Sequence, residues 1–137
     1  MNSVGALRPM FKKVLIANRG EIAVRVAATL QQMGVRVVAV CSDVDRASLH
    51  VGCADEAYPL EGKTAAESYL RGEKIIDIAK RCGEDAIHPG YGFLSENAVF
   101  AQACGDAGLT FIGPRPEVIR SLGDKVNAKQ LMAKAGV

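Results

Sequence analysis

The chain alternates between short apolar runs and longer segments with helical periodicity, and this alternation restricts its fold more than any other feature. Four runs are rich in β-branched residues, as expected of buried strands: VLIA (14–17), VRVVAV (35–40), AIH (86–88) and LTFI (109–112). Strands that are apolar throughout and joined by helices favour a parallel sheet covered on both faces. We therefore predict an α/β fold, a Rossmann-like open parallel sheet with right-handed crossovers.

Three segments repeat apolar residues at the spacing of an amphipathic helix. The repeats are Ile22, Val26, Leu30 and Met33, then Ile75, Ile78 or Ala79 and Cys82, and finally Val99, Ala103 and Ala107. After each repeat stands the residue type that most readily ends a helix in the left-handed conformation: Gly34, Gly83 and Gly108. The sequence thus predicts three helices with clear ends, and residues 58–60 fit one further short strand.

The pattern changes after the last predicted strand, where the sequence GPRP (113–116) interrupts the alternation. Two short helical stretches are predicted beyond it, over 117–122 and 125–135. Asp124 is suited to be the N-cap residue of the second stretch. We therefore predict that the α/β domain, residues 11–115, is followed by a short helical connector over 116–137.

Composition and charge exclude several classes of protein. The 137 residues have room for one domain, and 49% hydrophobic with 23% charged residues is typical of globular proteins. The net charge is only +2, and Lys and Arg are spread along the chain, so we expect no nucleic-acid partner. Apolar runs stay well below the roughly 20 residues that span a bilayer, and residues 1–10 resemble a flexible leader rather than a secretory signal. We expect a cytoplasmic protein with no membrane partner.

The cysteine pattern argues against a structural metal or a redox pair. There is no CxxC motif and there are only two histidines, while the four cysteines lie at long, irregular intervals: Cys41, Cys53, Cys82 and Cys104. We expect them to be reduced thiols within the core, and we expect no metal site.

A first candidate site, Asn18-Arg19-Gly20-Glu21, lies where the first strand turns into a helix, the place at which open α/β sheets meet ligands. The turn carries one glycine instead of the G-x-G-x-x-G fingerprint, so the sequence does not favour NAD. Asp43 nevertheless follows the second strand roughly where a ribose-binding acid is expected. In the simpler interpretation, Gly20 permits a tight turn and Glu21 complements the helix dipole.

A second candidate site is the ten-residue stretch HPGYGFLSEN (88–97), which runs from a strand end into the next helix. Two glycines around Tyr91 predict a shaped loop that exposes backbone N–H groups beside a helix N-terminus, which suits an anion or a polar ligand. Ser95 is a natural N-cap residue and Glu96 a favourable first-turn acid. Taken alone, His88 is interpreted as a hydrogen-bonded structural histidine.

A third candidate site is Gly123-Asp124-Lys125, at the start of the last predicted helix. A cation at a helix N-terminus is disfavoured by the dipole, so an anion near Lys125 would explain it. A solvated lysine also costs little there, and the sequence alone leaves both interpretations open.

Three motifs occur in order along the chain: IANRGE (16–21), HPGYGFLSEN (88–97) and GDK (123–125). With the stretches between them, they make the chain resemble the amino-terminal, pre-ATP-grasp domain of biotin carboxylases, from Phe11 to Val137. The motif around Tyr91 is the most specific. SYLRGEKII (68–76) and DEAYPL (55–60) are more similar to the acyl-CoA carboxylase branch, especially methylcrotonyl-CoA-type enzymes.

The resemblance implies ATP-dependent carboxylation of carrier-bound biotin, with bicarbonate and Mg²⁺, by a longer protein. It implies that Lys125 contacts the ATP phosphates. The loop lining the biotin side of the site would comprise His88, Gly90, Tyr91, Gly92, Glu96 and Asn97. The implied partners are the ATP-grasp and lid portion, a biotin carboxyl carrier domain, a carboxyltransferase subunit and a second protomer. Ala28 stands where some bacterial members carry an arginine used in dimer contacts, so that contact is not expected here.

The family's ATP-grasp portion carries the glycine-rich phosphate loop and the metal carboxylates, so we expect the 137 residues alone to be inactive and assign them no catalytic residue. Two alternatives stay open. The chain could be a stand-alone nucleotide- or dinucleotide-binding module, or an interaction domain whose exposed face packs on an ATP-grasp partner.

Overall fold

The computed structural model describes residues 11–136, apart from the side chains of residues 127, 128 and 131; the predicted leader 1–10 and Val137 lie outside the described residues. It contains a five-stranded parallel sheet in the order β3-β2-β1-β4-β5. The strands are β1 (Lys13–Ile16), β2 (Arg36–Cys41), β3 (Glu56–Pro59), β4 (Ala86–His88) and β5 (Thr110–Phe111). The helices are α1 (Gly20–Gln32), α2 (Leu49–Gly52), α3 (Gly72–Cys82), α4 (Ala98–Asp106) and α5 (Pro116–Lys134), with a 3-10 turn at Asp43–Asp45. The predicted α/β architecture is therefore confirmed.

The central strand β1 is covered on both faces, because successive side chains of a strand point in opposite directions. Val14 and Ile16 pack toward α1, in one apolar cluster with Ala23, Ala27 and Leu30. Leu15 and Ala17 lie in the other cluster, with α3 and α4 side chains that include Ile75, Ile78, Phe100 and Cys104. A strand buried on both faces needs apolar residues at every position, which explains why β1 and β2 have continuous apolar sequences.

The buried faces of two helices are displaced from the predicted apolar stripes. In α1 the deeply buried residues are Ala23, Ala27 and Leu30, whereas Met33 is 56% exposed. In α4 they are Phe100, Ala101 and Cys104, whereas Val99 is 73% exposed. Both helices carry apolar residues on two adjacent faces, and the periodicity does not tell which of the two faces the sheet. The predicted face of α3 is confirmed at Ile75, Ile78 and Ala79.

The helix ends follow the predicted glycines, but one helix start differs. Gly34, Gly83 and Gly108 all have positive φ directly beyond helices α1, α3 and α4, as predicted. Asn97, not Ser95, is the N-cap residue of α4, because its Oδ1 accepts the Phe100 N–H at 2.9 Å. The N-cap prediction for Ser95 is therefore wrong.

The predicted connector is one continuous helix instead of two short ones. Gly123 and Asp124 lie inside α5, so neither the break nor the N-cap at Asp124 exists. A single interior glycine costs a helix only about 1 kcal/mol relative to alanine, which is too little to end it here. Lys125 consequently lies in the middle of α5. The charge of Lys125 therefore does not face a helix N-terminus, and it is no evidence for an anion nearby.

The cysteines are free, as expected: Cys41 and Cys104 are buried, and Cys53 and Cys82 are half-buried. Within residues 11–136 no group of three or more His, Cys, Asp or Glu side chains could hold a metal ion. In the same part of the chain, no helix is both long and apolar enough to cross a bilayer.

Candidate functional site

The strand order places a crevice at the carboxyl ends of β1 and β4. From β1 the chain proceeds outward to β2 and β3 on one side, while β4 and β5 lie on the other. Ligands of open α/β sheets usually bind at such a reversal of strand order. Two predicted segments meet there: the turn after β1, which contains Asn18, and residues 89–97, which we name the Tyr91 loop.

The Tyr91 loop has an unusual backbone that projects one aromatic side chain outward. Gly90, Gly92 and Phe93 have φ of +67°, +65° and +42°, in the left-handed region that favours glycine. Tyr91 between them is 80% exposed. The two glycines therefore explain how the chain can turn sharply on both sides of Tyr91 and leave its phenol ring accessible.

Two polar side chains hold the start of this loop, buried Asn18 and half-buried His88. The Asn18 amide donates to the carbonyl oxygens of Pro89, at 2.8 Å, and Tyr91, at 2.6 Å. The Gly90 N–H donates to Nδ1 of His88 at 3.0 Å. Burial lowers the pKa of His88, which favours the neutral ring that this bond requires. His88 thus has the structural role that the simpler interpretation predicted.

A hydrogen-bonded ionic network of Arg19, Asp45 and Tyr69 contacts the loop at Phe93. Arg19 donates to both carboxylate oxygens of Asp45, at 2.6 and 2.7 Å, and the Tyr69 hydroxyl donates to Oδ2 at 2.7 Å. Asp45 is 4% exposed, and the Arg19 guanidinium holds the pKa of its carboxyl well below the usual range. Burial, with the Asp45 hydrogen bond, raises the pKa of Tyr69 to about 12. The ring of Tyr69 stacks on Phe93, with centroids 5.3 Å apart, so the network reaches the Tyr91 loop.

One cleft, of about 610 Å³, lies between the Tyr91 loop and α5. Its lining includes Gly90, Tyr91, Glu96, Ile119, Gly123 and Val126. Lys125 lies between the last two of these residues in the sequence and is exposed on α5, but it is not itself one of the lining residues. The Tyr91 loop and the segment that carries Lys125 therefore border the same cleft.

A second cleft, of about 550 Å³, lies on the other side of Tyr91. His88 and Tyr91 are part of its lining, and the wall is mainly apolar, with Ile22 and Val26 of α1 and Met33, the residue directly after that helix. The residues of the predicted stripe line this cleft, and of them only Leu30 is also buried in the core. Tyr91 and Ile112 line both clefts.

The structure brings most of the predicted site residues together. His88 ends β4, Gly90, Tyr91 and Gly92 follow it in the first half of the Tyr91 loop, and Glu96 is exposed at the cleft near α5. Asn97 is also exposed, and its Oδ1 caps α4, as described above. Asp43 is engaged elsewhere: its carboxylate accepts from Gly62 N–H at 3.3 Å and from Arg46 at 3.4 Å. A ribose-binding role for Asp43 therefore has no support in this geometry.

Sequence reasoning did not identify the supporting residues Asn18, Asp45 and Tyr69 as a unit. Asn18 was visible as a polar residue after a strand, but its two hydrogen-bond partners lie 71 and 73 residues further along the chain. Asp45 and Tyr69 carry no local pattern that distinguishes them from surface residues. Only the three-dimensional arrangement reveals the network.

Comparison with known proteins gives consistent matches. Residues 10–119 match the family described as "Biotin carboxylase, N-terminal domain". Over 128 residues the chain is 58% identical to the biotin carboxylase of Halalkalibacterium halodurans, a match that covers 93% of the chain and 28% of that protein. It is 58% identical over 126 residues to the mitochondrial methylcrotonoyl-CoA carboxylase subunit alpha of Oryza sativa, covering 92% of the chain and 17% of that protein.

Solved structures agree with these matches. The biotin carboxylase domain dimer of the Hydrogenobacter thermophilus 2-oxoglutarate carboxylase, in complex with MgADP, ADP and bicarbonate, has a TM-score of 0.83 and 49% identity, covering 94% of the chain and 28% of that domain. The chain thus spans less than a third of the length of these relatives. From the sequence match over residues 10–119 and the shared fold, the chain belongs to the biotin carboxylase N-terminal domain family.

Proposed function

We propose that this chain forms one wall of a biotin carboxylase active site, within a longer protein that uses ATP and bicarbonate to carboxylate carrier-bound biotin. The observation that carries the proposal is the position of the exposed Tyr91 at the β1/β4 switch point, on the same cleft as the middle of α5. The biotin carboxylase domain of the 2-oxoglutarate carboxylase relative, which is 49% identical, was crystallised with MgADP, ADP and bicarbonate, and these ligands support the proposed use of ATP and bicarbonate.

The residues of this chain fit different parts of such a ligand set unequally. Lys125 is an exposed cation on α5 and suits an ATP phosphate group. Tyr91 presents a flat ring and a hydroxyl group, which suit the biotin side, with His88, Gly90, Gly92, Glu96 and Asn97 shaping the loop around it. Bound ATP and Mg²⁺ would supply the phosphoryl chemistry that activates bicarbonate. Because residues 11–136 hold no converging set of metal ligands, we assign no Mg²⁺ ligand to this part of the chain.

A simple electrostatic argument supports the proposal that the chain is not catalytic alone. One lysine about 4 Å from a phosphate charge contributes about 4 kcal/mol at an effective dielectric constant near 20, before its desolvation is subtracted. Enzymes commonly lower barriers by about 8 to 23 kcal/mol, and phosphoryl transfer uses several positioned charges together. The remaining groups would come from the ATP-grasp and lid portion of the longer protein.

The surface of α5 supports a partner on this side of the domain. Among the α5 side chains that the structure describes, four large apolar ones are exposed: Val118, Leu122, Val126 and Met132. We propose that residues 11–115 form the domain proper and that 116–137 connect it to the ATP-grasp portion, which covers these side chains. In the whole protein, the further partners would be a biotin carboxyl carrier domain, a carboxyltransferase subunit and a second protomer. Ala28 is exposed on α1 and offers no charge to a dimer contact.

Complementation would test the proposal. The chain is mixed with the ATP-grasp and lid portion of the Halalkalibacterium halodurans relative, and ADP release is measured with ATP, biotin, bicarbonate and Mg²⁺. We expect turnover in the mixture and none with either part alone. Lys125→Met should raise the KM for ATP, whereas Lys129→Met, which removes another exposed lysine of α5, should not. Turnover by the chain alone, or equal effects of the two substitutions, would contradict the proposal.

Ligand titration distinguishes the proposed function from the alternative of a stand-alone dinucleotide-binding module. A stand-alone dinucleotide-binding module should bind NAD in the micromolar range without any added protein. We expect no such binding, since the turn after β1 has no G-x-G-x-x-G fingerprint and Asp43 is engaged by Gly62 and Arg46.

A further inference from the structure

The side chain of Asn18 is almost completely buried, with 3% of its surface exposed, and all of its polar atoms are hydrogen-bonded to the backbone. Its Nδ2 group donates to the carbonyl oxygens of Pro89 and Tyr91, which bracket Gly90. Its Oδ1 accepts the N–H of Arg19 at 2.8 Å. The two hydrogens of the amide are therefore both used on the backbone at the start of the Tyr91 loop.

The orientation of this amide is determined by its partners. If the amide were flipped, its oxygen would face two carbonyl oxygens and its NH₂ group would face the N–H of Arg19, so that every contact would be repulsive. Only a side chain with two donors and one acceptor on a short stem satisfies this arrangement. Aspartate has the same shape as asparagine but offers no donor when it is ionised.

Gly90 packs against the same amide more closely than any side chain would permit. A Cβ atom at residue 90 would lie 2.6 Å from Nδ2 of Asn18 and 3.0 Å from its Cβ. Gly92 has nearly the same φ, yet a Cβ atom there would meet nothing within 4 Å. The two glycines thus differ in one respect: Gly90 is required both for its backbone conformation and for its contact with Asn18.

The far end of the loop is held in a similar way from inside the molecule. Phe93, whose φ is +42°, stacks on the buried Tyr69, and the Ser95 N–H donates to the Gly92 carbonyl at 2.8 Å. Tyr91 lies between these two fixed points and is the most exposed of the large apolar and aromatic side chains in the part of the chain that the structure describes. The backbone around it is fixed while its ring is left free to contact a ligand.

We infer that Asn18 is a positioning residue: its amide fixes the backbone from 89 to 91 and thereby sets the direction in which Tyr91 leaves the sheet edge. Its role at the biotin side rests on the proposed function, whereas its control of the loop does not. The plain alternative is that Asn18 merely satisfies buried carbonyl groups. In that case its loss would weaken the whole domain without a specific effect at the loop.

The contact with Gly90 gives a test that needs no activity. Gly90→Ala should lower the urea midpoint of the full chain more than Gly92→Ala does, because both add a Cβ at a similar positive φ but only the first meets Asn18. In the Asn18→Ala background the 2.6 Å contact is gone and only the 3.0 Å contact to Cβ remains, so most of that difference should disappear. Equal effects of the two glycine substitutions, or a difference that persists unchanged without the Asn18 amide, would overturn the inference.

Hydrogen exchange gives a second test, through the isosteric variant Asn18→Asp. We expect exchange at the amides of Gly90 and Ser95 to become at least tenfold faster near neutral pH, while that of Leu109, bonded to Cys104 on α4, changes by less than threefold. At low pH the introduced carboxyl group is protonated and regains one donor, so the loop amides of the variant should recover part of their protection, relative to the wild-type chain at the same pH. A uniform change at all three amides, or no pH dependence, would favour the plain alternative.

The functional consequence is measured in the complemented enzyme. Asn18→Asp should raise the KM for biotin at least fivefold and leave the KM for ATP within twofold, because the displaced group is on the biotin side. An equal rise in both constants would contradict the positioning role. Failure of the wild-type mixture to turn over would instead contradict the proposed function and leave the glycine and exchange results to decide the structural claim.

Discussion

Glu84 gives the sharpest prediction about stability. It lies between α3 and β4, is 6% exposed, and neither of its carboxylate oxygens has a hydrogen-bond partner among the described residues. Burial is the main cause that raises its pKa to about 7, and Glu56 and Asp85 add to the rise while Lys13 opposes it. The unfolded chain ionises near 4.5, so the folded state binds the extra proton between these two values.

The sign and size of the effect of Glu84 on folding stability follow from this difference in pKa. Below pH 4.5 both states are protonated and Glu84 has no effect; as the pH rises toward 7 only the unfolded state ionises, so the folded state loses relative stability. At about 1.4 kcal/mol for each tenfold change in proton affinity, the loss reaches about 3 kcal/mol above pH 7. Glu84→Gln removes the ionisation. The variant should therefore be more stable than the wild type at pH 8 by up to about 3 kcal/mol, and the gain should vanish toward pH 4.5.

Urea unfolding of both proteins from pH 4.5 to 8, followed by circular dichroism, measures the difference directly. Other titrating groups are common to both proteins, so the difference between them isolates Glu84. Glu61→Gln, at an exposed position, is the matched control and should show no such trend. If the difference between wild type and Glu84→Gln is independent of pH, Glu84 is not buried as an unpaired acid and the reasoning is wrong.

Two further predictions concern the network and the core. Asp45→Asn should lower the unfolding free energy by about 2 to 4 kcal/mol, because it removes the charge of the buried carboxylate to which Arg19 and Tyr69 donate. Urea unfolding measures this loss, with Asp43→Asn as the control. A loss below about 0.5 kcal/mol for Asp45→Asn would refute the assigned role. The pKa of the Asp45 carboxyl is lowered, so its contribution should be present at neutral pH and be lost as the pH falls below about 4. Burial raises the pKa of the Cys104 thiol to about 12, so iodoacetamide should label half-buried Cys53 well before Cys104 in the folded chain, as mass spectrometry of tryptic peptides can show.

Much of the fold could be predicted because its signals are local. The runs 14–17, 35–40 and 86–88, from which strands were predicted, are apolar at nearly every position, and a glycine follows each of three helices. These features depend on a few neighbouring residues. The sheet order, by contrast, depends on which strands pair across the chain, and the pairing of Leu15 with both Val38 and Ile87 leaves no local trace.

The errors of prediction have a common physical cause, which is competition between alternatives of similar energy. Gly123 and Asp124 favour a helix break, but together they oppose the helix by only about 1 to 2 kcal/mol, and the residues on both sides favour it. Val99 and Phe100 are adjacent apolar residues, and the larger ring takes the buried place, with an edge-to-face contact to Phe111 at 6.0 Å. Ser95 and Asn97 both suit an N-cap, and only the course of the loop selects Asn97.

The exposed residues of the candidate site could be predicted from the sequence, whereas the buried residues that hold them in place could not. The density of glycine and polar residues around Tyr91 identified the loop, and the motif resemblance added Lys125. The buried partners of the loop depend on contacts between distant segments, as Asn18 and Tyr69 show. Local patterns therefore identify the groups offered to a ligand more readily than those that hold them.

The central place of β1 also has a consequence for biosynthesis. Its second neighbour, β4, is made about 70 residues later, so any β1–β2 pair formed during translation has an open edge on the β1 side until residues 86–88 have left the ribosome. The apolar residues Val14, Leu15 and Ile16 lie along this open edge, and an unpaired apolar edge favours aggregation. Any ribosome stall before His88 would thus leave an aggregation-prone intermediate, whereas a stall after Phe111 would leave a sheet whose five strands are all present.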